Sequence, residues 1–111
     1  MDETLTALAE RNRFRIVEAL RKGPKSVGEL VEELGLPQPL VSKHLRVLRQ
    51  AHLVRARPRA QQHLYELEAL PFRELESWVG SFRRLWEDRL DTLDDYLKEV
   101  QHQKKRPGSK A

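Results

Sequence analysis

Residues 26–49 read SVGELVEELGLPQPLVSKHLRVLR, which divides into two short amphipathic segments joined by a turn. Ser26 followed by Glu29 has the pattern of a capping box, which predicts that a helix begins there. Gly35 stands where a left-handed residue commonly ends a helix, and Pro39 suits the first turn of the next one. The second helix has an apolar stripe opposite a polar, basic face. This arrangement predicts a helix-turn-helix whose second helix fits the major groove of DNA.

Further helices and one hairpin are predicted on either side of this motif. Residues 5–9 form a short first helix, and Asn12 is the expected cap of the second. After the motif, residues 54–57 alternate in polarity, and residues 64–67 offer a matching return strand. The tip between the strands is expected at residues 58–61. The hairpin is therefore predicted to be a wing.

One long helix is predicted over residues 71–100, because apolar residues recur there in steps of three and four. Such a stripe is larger than one small core needs, which favours a homodimer through the first and last helices. The alternative is that the stripe packs only within the core of one chain. The candidate dimerisation residues are Leu5, Leu8, Trp78, Phe82, Leu85, Trp86, Leu90, Leu93 and Leu97.

The predicted fold class is therefore mainly α, a winged helix-turn-helix of about five helices plus a two-stranded β-hairpin. Residues 1–100 are expected to form one DNA-binding and dimerisation domain. Residues 101–111 have no periodicity and are rich in Lys and Arg, so they are expected to be a disordered basic tail.

Charge is distributed unevenly along the chain. Residues 11–63 contain twelve Lys or Arg against four Glu, whereas residues 64–100 contain five basic and ten acidic residues. Because the basic half coincides with the helix-turn-helix, it predicts a polyanionic partner, double-stranded DNA. The alternative is that these charges only solvate helix surfaces. The acidic half leaves a second function open, a winged-helix protein-interaction module that uses its last helix to hold a partner.

The candidate DNA contacts lie on the polar face of the second motif helix and on the wing. Gln38 and Ser42 can form hydrogen bonds with base edges, and Pro39 can contact a thymine methyl group. Lys43 and Arg46 can reach guanine acceptors or phosphates. The wing residues expected to approach the adjacent backbone or minor groove are Arg55, Arg57, Arg59 and Gln61.

Several other classes of protein are disfavoured. The chain has no cysteine, which excludes disulfides and thiolate metal sites, and it has no Gly-rich phosphate loop, so no enzyme is predicted. His52 and His63 flank the wing without a third zinc ligand, and His44 is expected to pack or to contact a phosphate. No metal or cofactor is therefore expected. No apolar run suits a membrane span or a secretory signal, so a soluble cytoplasmic protein is predicted.

With this order of elements, the chain resembles the ArsR/SmtB family of bacterial transcriptional repressors. The resemblance covers residues 5–100, and its most specific pieces are NRFRIVEAL at 12–20, SVGELVEELGLPQPLVSKHLRVLRQAHLV at 26–54 and LYEL at 64–67. It implies a dimeric repressor that binds an inverted-repeat operator. The last helix, SFRRLWEDRLDTLDDYL, looks like that of a metal-independent branch.

The chain departs from the family pattern at the positions where metal-sensing members bind their metal. Metal-sensing members have cysteines on the third helix, or an Asp-x-His pair with later ligands on the last helix. Here the third-helix positions hold Glu29, Leu30 and Val31, and the last helix has no histidine before His102. The family's metal response is therefore not expected, and the effector is unknown. His52 stands where relatives usually have Gly before the wing, so a positive φ is expected there.

Overall fold

The computed structural model describes residues 1–104. In this range the elements are α1 (Asp2–Leu8), α2 (Arg11–Leu20), α3 (Val27–Leu34), α4 (Gln38–Gln50), β1 (Val54–Arg59), β2 (Gln62–Leu67), α5 (Ala69–Gly80) and α6 (Arg83–Lys104). The predicted mainly helical architecture with one antiparallel hairpin is confirmed. The chain divides into a compact unit of residues 1–75 and a second unit that begins at Glu76.

The start of α2 differs from the sequence prediction, because Glu10 caps the helix instead of Asn12. Glu10 has an extended backbone, with φ −96° and ψ 132°, and its Oε2 accepts a hydrogen bond from the backbone N–H of Arg13 at 2.8 Å. Asn12 lies inside the first turn, where its Oδ1 accepts from the Arg15 guanidinium at 3.4 Å. A Glu side chain is long enough to reach the same free N–H groups that Asn usually caps.

The helix-turn-helix forms as predicted from its local signals. Ser26 caps α3 in a complete capping box, in which Glu29 accepts from the Ser26 backbone N–H at 2.9 Å. Gly35 ends α3 in the left-handed conformation, with φ 66°. Pro37 is the extended N-cap residue of α4, and Pro39 lies in its first turn. The signals that begin and end these helices are therefore local in sequence.

The end of α4 is a Schellman motif, which directs the chain into the wing. The N–H of Leu53 donates to the carbonyl of Leu48 at 2.9 Å, and the N–H of His52 donates to the carbonyl of Arg49 at 3.0 Å. His52 occupies the left-handed position with φ 61°, as predicted from the Gly that relatives usually have there. Leu48 and Leu53 are both fully buried, which provides the hydrophobic contact typical of this motif.

The core of the first unit lies between α2, α3, α4 and the start of the wing. Its largest side chains with less than 2% exposure are Ile16, Leu30, Val41, Leu45, Leu48, Leu53 and Val54. Each such side chain contributes about 1.5–3 kcal/mol of transfer free energy on burial. The core therefore fixes which face of α4 points outward.

The wing has a shorter tip than the sequence predicted. Arg59 pairs with Gln62, so the turn consists of Ala60 and Gln61 alone. The predicted tip at 58–61 was too long, because Pro58 still takes part in the ladder; a strand at a sheet edge tolerates its missing N–H. Ala60 has φ 56°, which resembles the first central residue of a type II′ turn.

A single β-bridge connects the wing to the segment before α3. The N–H of Lys25 donates to the carbonyl of Tyr65 at 3.0 Å, and the N–H of Tyr65 donates to the carbonyl of Lys25 at 2.8 Å. This reciprocal pair attaches β2 to the residue that precedes the Ser26 cap. The wing and the helix-turn-helix are thereby joined by backbone hydrogen bonds.

The predicted long last helix is wrong in one respect, because it is interrupted between Gly80 and Arg83. Gly is a poor helix former, and the Ser81 hydroxyl donates to the carbonyl of Trp78 at 2.6 Å. The N–H of Phe82 bonds the carbonyl of Val79 at 3.1 Å, an i to i+3 contact of a tightened turn. The chain thus has six helices within residues 1–104 instead of about five.

The end of the last helix also differs from the expected domain boundary. Helix α6 continues to Lys104, four residues beyond the predicted end of the domain at residue 100. The remainder of the predicted basic tail, residues 105–111, lies outside the residues that the structure describes.

Candidate nucleic-acid interface

Helix α4 has one buried face and one polar face. Val41, Leu45 and Leu48 are at most 1% exposed, and their spacing of four and three residues places them on one side of the helix. The five predicted helix contacts lie outside this stripe; Ser42 is half-buried, and the exposed ones are Gln38, Pro39, Lys43 and Arg46. This face therefore presents amide, hydroxyl and cationic groups together.

The two cations of this face are not neutralised within the first unit. Neither Lys43 nor Arg46 forms an ion pair with a carboxylate in the part of the chain that the structure describes. Their charges are thus available to an external anion. Exposed Lys and Arg side chains on a helix are the groups that reach guanine acceptors and phosphates in the major groove of DNA.

His44 lies on the buried side of α4, not on its polar face. Its side chain is 7% exposed, and its Nδ1 lies 3.6 Å from the Oε2 of Glu10 without a hydrogen bond. Of the two roles expected from the sequence, this placement fits packing. The pKa of Glu10 is lowered, mainly because the backbone N–H of Arg13 donates to it, with a smaller contribution from the backbone N–H of Asn12. Glu10 thus lies between the start of α2 and the His44 side chain of α4.

The wing places all four of its predicted contacts on the surface, but two of them are paired. Arg55 Nε lies 2.6 Å from Glu66 Oε1 and 3.6 Å from Glu68 Oε1, and Arg57 Nη2 lies 3.7 Å from Glu66 Oε2. The pKa of Arg55 is raised, mainly because Glu66 accepts its hydrogen bond. Arg59 and Gln61 lie at the exposed end of the hairpin.

The sequence reasoning missed Glu66 and Glu68. The signal that could have found Glu66 was the strand register, since Arg55 and Glu66 are directly opposed across the hairpin. A two-residue tip at residues 60–61 brings Arg55 opposite Glu66, whereas the predicted four-residue tip at 58–61 does not.

Some of the basic residues between 11 and 63 stabilise the fold instead of facing outward. Arg13 Nε donates to the carbonyl of Ala7 at 2.8 Å, beyond which α1 ends. Arg15 Nη2 donates to the carbonyl of Leu34 at 2.9 Å, at the end of α3. Cationic side chains commonly satisfy the free carbonyls of helix ends in this way. The positive excess in this half therefore overstates the charge that is available to a partner.

The candidate dimerisation residues lie in both units of the chain, two in the first and seven in the second. In the first unit, Leu5 is 40% exposed, whereas Leu8 is half-buried and packs against the core. In the second unit, the candidates are between 36% and 63% exposed, and Trp78 and Phe82 form an edge-to-face pair with ring centroids 5.2 Å apart. The candidates of that unit are Trp78, Phe82, Leu85, Trp86, Leu90, Leu93 and Leu97.

Residues 1–104 offer neither a metal site nor a membrane-spanning helix. No group of three or more His, Asp or Glu side chains in this range is placed to hold a metal ion. At the third-helix positions, Glu29 is used in the capping box and Leu30 is fully buried. No helix in the same range is long and apolar enough to cross a membrane.

The fold and its outward basic helix define a winged helix-turn-helix DNA-binding protein. A family model described as "Bacterial regulatory protein, arsR family" matches residues 10–56. The chain is 45% identical over 81 residues to the HTH-type transcriptional regulator Rv2034 of Mycobacterium tuberculosis, covering 73% of this chain and 76% of that protein. The chain therefore belongs to the ArsR family of bacterial regulatory proteins.

Two other similarities agree with this assignment. The chain is 45% identical over 65 residues to the HTH-type transcriptional repressor SmtB of M. tuberculosis, which covers 59% of this chain and 48% of that protein. The crystal structure of an ArsR family transcriptional regulator aligns with a TM-score of 0.67 at 27% identity, covering 78% of this chain and 94% of the other. The protein is thus a DNA-binding transcriptional regulator and not an enzyme, which decides against the interaction-module alternative.

Proposed function

We propose that this protein is a homodimeric repressor that binds an inverted-repeat operator. The observation that carries the proposal is the outward face of α4, where polar and cationic side chains lie opposite a fully buried stripe. In this proposal Gln38 and Ser42 form hydrogen bonds with base edges and Pro39 packs against a thymine methyl group. Lys43 and Arg46 contact guanine or phosphate, and the wing reaches the flanking backbone. The polar groups of the wing are Arg55, Arg57, Arg59 and Gln61.

The proposed dimer rests on the apolar side chains of the second unit. Seven apolar candidates there are at least 36% exposed in the single chain, an apolar surface that is unusual for a monomeric protein. A second copy of the chain would cover them by an isologous contact. A two-fold dimer places its recognition helices about 34–36 Å apart, one turn of DNA, so the operator is expected to be an inverted repeat.

We also propose that the protein represses transcription and that it does not respond to a metal ion. A relative with 45% identity over 65 residues is a transcriptional repressor by name, which supports repression here. A repressor of this kind acts in the cytoplasm by occupying a promoter. The third-helix positions Glu29, Leu30 and Val31 offer at most one carboxylate ligand, and that carboxylate already completes the α3 cap. We therefore place this chain in a metal-independent branch, whose effector is of another kind.

The DNA face is tested by selecting an operator from random duplexes and measuring the affinity of two variants. Lys43→Ala and Arg46→Ala are each expected to weaken operator binding by about 1–3 kcal/mol per half-site, or about 5–150-fold. Arg21→Ala is the matched control, because Arg21 is exposed on another element and is paired with Glu18 at 3.2 Å. Full affinity in both α4 variants would contradict the assigned face.

The dimer is tested by light scattering on the intact chain. Leu93→Lys places a charge in the apolar stripe and is expected to shift the mass from dimer to monomer, with loss of operator binding. Thr92→Lys is the control, since Thr92 is an exposed neighbour outside the stripe. A Leu93→Lys protein that remained dimeric would show that the contact lies elsewhere.

A further inference from the structure

The wing contains a carboxylate that contacts two of its proposed DNA-binding cations. Glu66 Oε1 lies 2.6 Å from Arg55 Nε, and Glu66 Oε2 lies 3.7 Å from Arg57 Nη2. The Glu66 side chain is only 17% exposed, whereas the side chains of Arg55 and Arg57 are 60% and 54% exposed. The anion is therefore fixed in the hairpin, and the two more exposed cations converge on it.

This arrangement follows from the strand register. Arg55 is directly opposite Glu66, and Arg57 lies two residues further along the same strand, on the same side of the hairpin. Glu66 can therefore contact one partner across the ladder and the other on the diagonal. Glu68 adds a second carboxylate 3.6 Å from Arg55 Nε. The wing therefore contains three arginines and two carboxylates, and these carboxylates pair with Arg55 and Arg57. Arg59 forms no ion pair among the described residues.

We propose that Glu66 is a positioning residue that restrains Arg55 and Arg57 and thereby limits the affinity of the wing for DNA. Carboxylates and phosphates are both strong partners of a guanidinium, so they compete for it. A phosphate that approaches the wing must displace Glu66 from the arginines or come close to a negative carboxylate. Within residues 1–104, Lys43 and Arg46 on α4 have no such carboxylate partner. The inference rests on the proposed contact between the wing and the DNA backbone.

The restraint has a measurable consequence for salt dependence. Each cation that neutralises a phosphate adds about 0.9 to the slope of log K against log salt, because a counterion is released. Freeing two arginines is therefore expected to steepen the slope by about 1–2 per protomer. Between about 50 and 200 mM salt, the affinity gained should shrink about 3-fold for each added contact. A change confined to the stability of the hairpin would not alter this slope.

The experiment compares wild type with Glu66→Gln on a generic duplex and on the selected operator. Gln keeps the size of the side chain and removes its charge. The variant is expected to bind the generic duplex more tightly at low salt and with the steeper slope. Glu18→Gln is the matched control, because Glu18 also pairs with an exposed arginine in the basic half, Arg21, that lies outside the proposed DNA face. An equal gain in this control, or unchanged or weaker binding by Glu66→Gln, would overturn the inference.

A double-mutant cycle keeps the inference testable if Glu66→Gln alters the hairpin. Arg57→Gln is measured in the wild type and in the Glu66→Gln background, with thermal unfolding followed for each protein. Removing Arg57 is expected to reduce affinity more when Glu66 is absent, because the cation is then free. Equal losses in the two backgrounds would refute the restraint. If Lys43→Ala and Arg46→Ala weaken binding while this cycle shows no coupling, the DNA face stands and only the role of Glu66 fails.

Discussion

Replacement of His52 by Gly is expected to stabilise this protein, although it removes a whole side chain. His52 directly follows the C-cap residue of α4. It has φ 61°, in the left-handed region that L residues rarely adopt. Both hydrogen bonds of the Schellman motif come from backbone N–H groups, those of His52 and Leu53. Because neither bond uses the imidazole, glycine can make both of them. The exposed position also means that little packing is lost.

The magnitude follows from two opposing terms. The left-handed conformation costs a residue with a Cβ about 1–2 kcal/mol, and His is at the low end because it tolerates this region better than branched residues. Glycine loses more backbone entropy on folding, about 0.5–1 kcal/mol. With the His strain at about 1 kcal/mol and the glycine entropy at about 0.5 kcal/mol, the net gain is about 0.5 kcal/mol. For a chain of 111 residues the unfolding entropy is about 230 cal/mol/K, so Tm should rise by about 2 °C.

Thermal unfolding followed by circular dichroism measures this effect at fixed protein concentration. His52→Ala is one control, since it removes the imidazole but keeps the Cβ, and its Tm is expected to stay unchanged or fall. His63→Gly is the second control. His63 is also exposed but lies in β2 opposite Pro58, where glycine should lower Tm. The reasoning is refuted if His52→Gly fails to raise Tm, or if His52→Ala raises it equally.

Three other predictions also concern the stability of the fold. Ala60→Gly at the wing tip should also raise Tm, because Ala60 has φ 56°, and a fall in Tm would show that its methyl group makes an essential contact. Ser26→Ala should lose about 1 kcal/mol by breaking the capping box of α3, and an unchanged Tm would mean that Glu29 alone caps the helix. The pKa of Glu10 is lowered by the N–H of Arg13, so its stabilisation is present above the ordinary value of 4.5 and is lost as the pH falls. Glu10→Gln should therefore flatten the acid side of a stability profile from urea unfolding, and a profile like that of wild type would contradict this assignment.

The helix-turn-helix could be predicted because its signals are local. The capping box at Ser26, the left-handed Gly35 and the proline in the first turn of α4 each act within a few residues. Once α3 and α4 are placed, the spacing of Val41, Leu45 and Leu48 identifies the buried face. The outward face then follows by elimination, and this is why the α4 residues proposed for DNA contact could be named from sequence.

The interruption of the last helix could not be predicted from its apolar period. The steps of three and four residues continue through the break, so the stripe gives no sign of it. The break depends on two local features, the poor helix propensity of Gly80 and the hydroxyl of Ser81, which competes for a helical carbonyl. Asn12 failed as a cap for a related reason, since Glu10, two residues earlier, has the extended backbone and reaches the free N–H of Arg13.

The strand register decides which charged side chains of the wing form ion pairs, and this cannot be read from the composition. Arg55 and Glu66 are eleven residues apart in sequence, and they meet because the tip contains only Ala60 and Gln61. A tip longer by one residue would place every side chain of β2 on the other side of the hairpin and separate the pair. Two of the three wing arginines predicted to contact DNA, Arg55 and Arg57, are thus paired with a carboxylate in the folded chain.

In the part of the chain that the structure describes, two non-glycine residues have a positive φ, and they lie at the ends of the wing's first strand. His52 precedes β1 and Ala60 follows it, with φ values of 61° and 56°. Unfavourable backbone conformations persist only where the surroundings over-determine them, and here the reciprocal bonds between Lys25 and Tyr65 fix the second strand independently. Because that bridge does not involve His52 or Ala60, glycine at either position should relieve the unfavourable backbone conformation without moving the wing. Stability and DNA affinity are therefore expected to be separable in this region, because the proposed control of wing affinity lies in the ion pairs of Glu66 and not in the backbone.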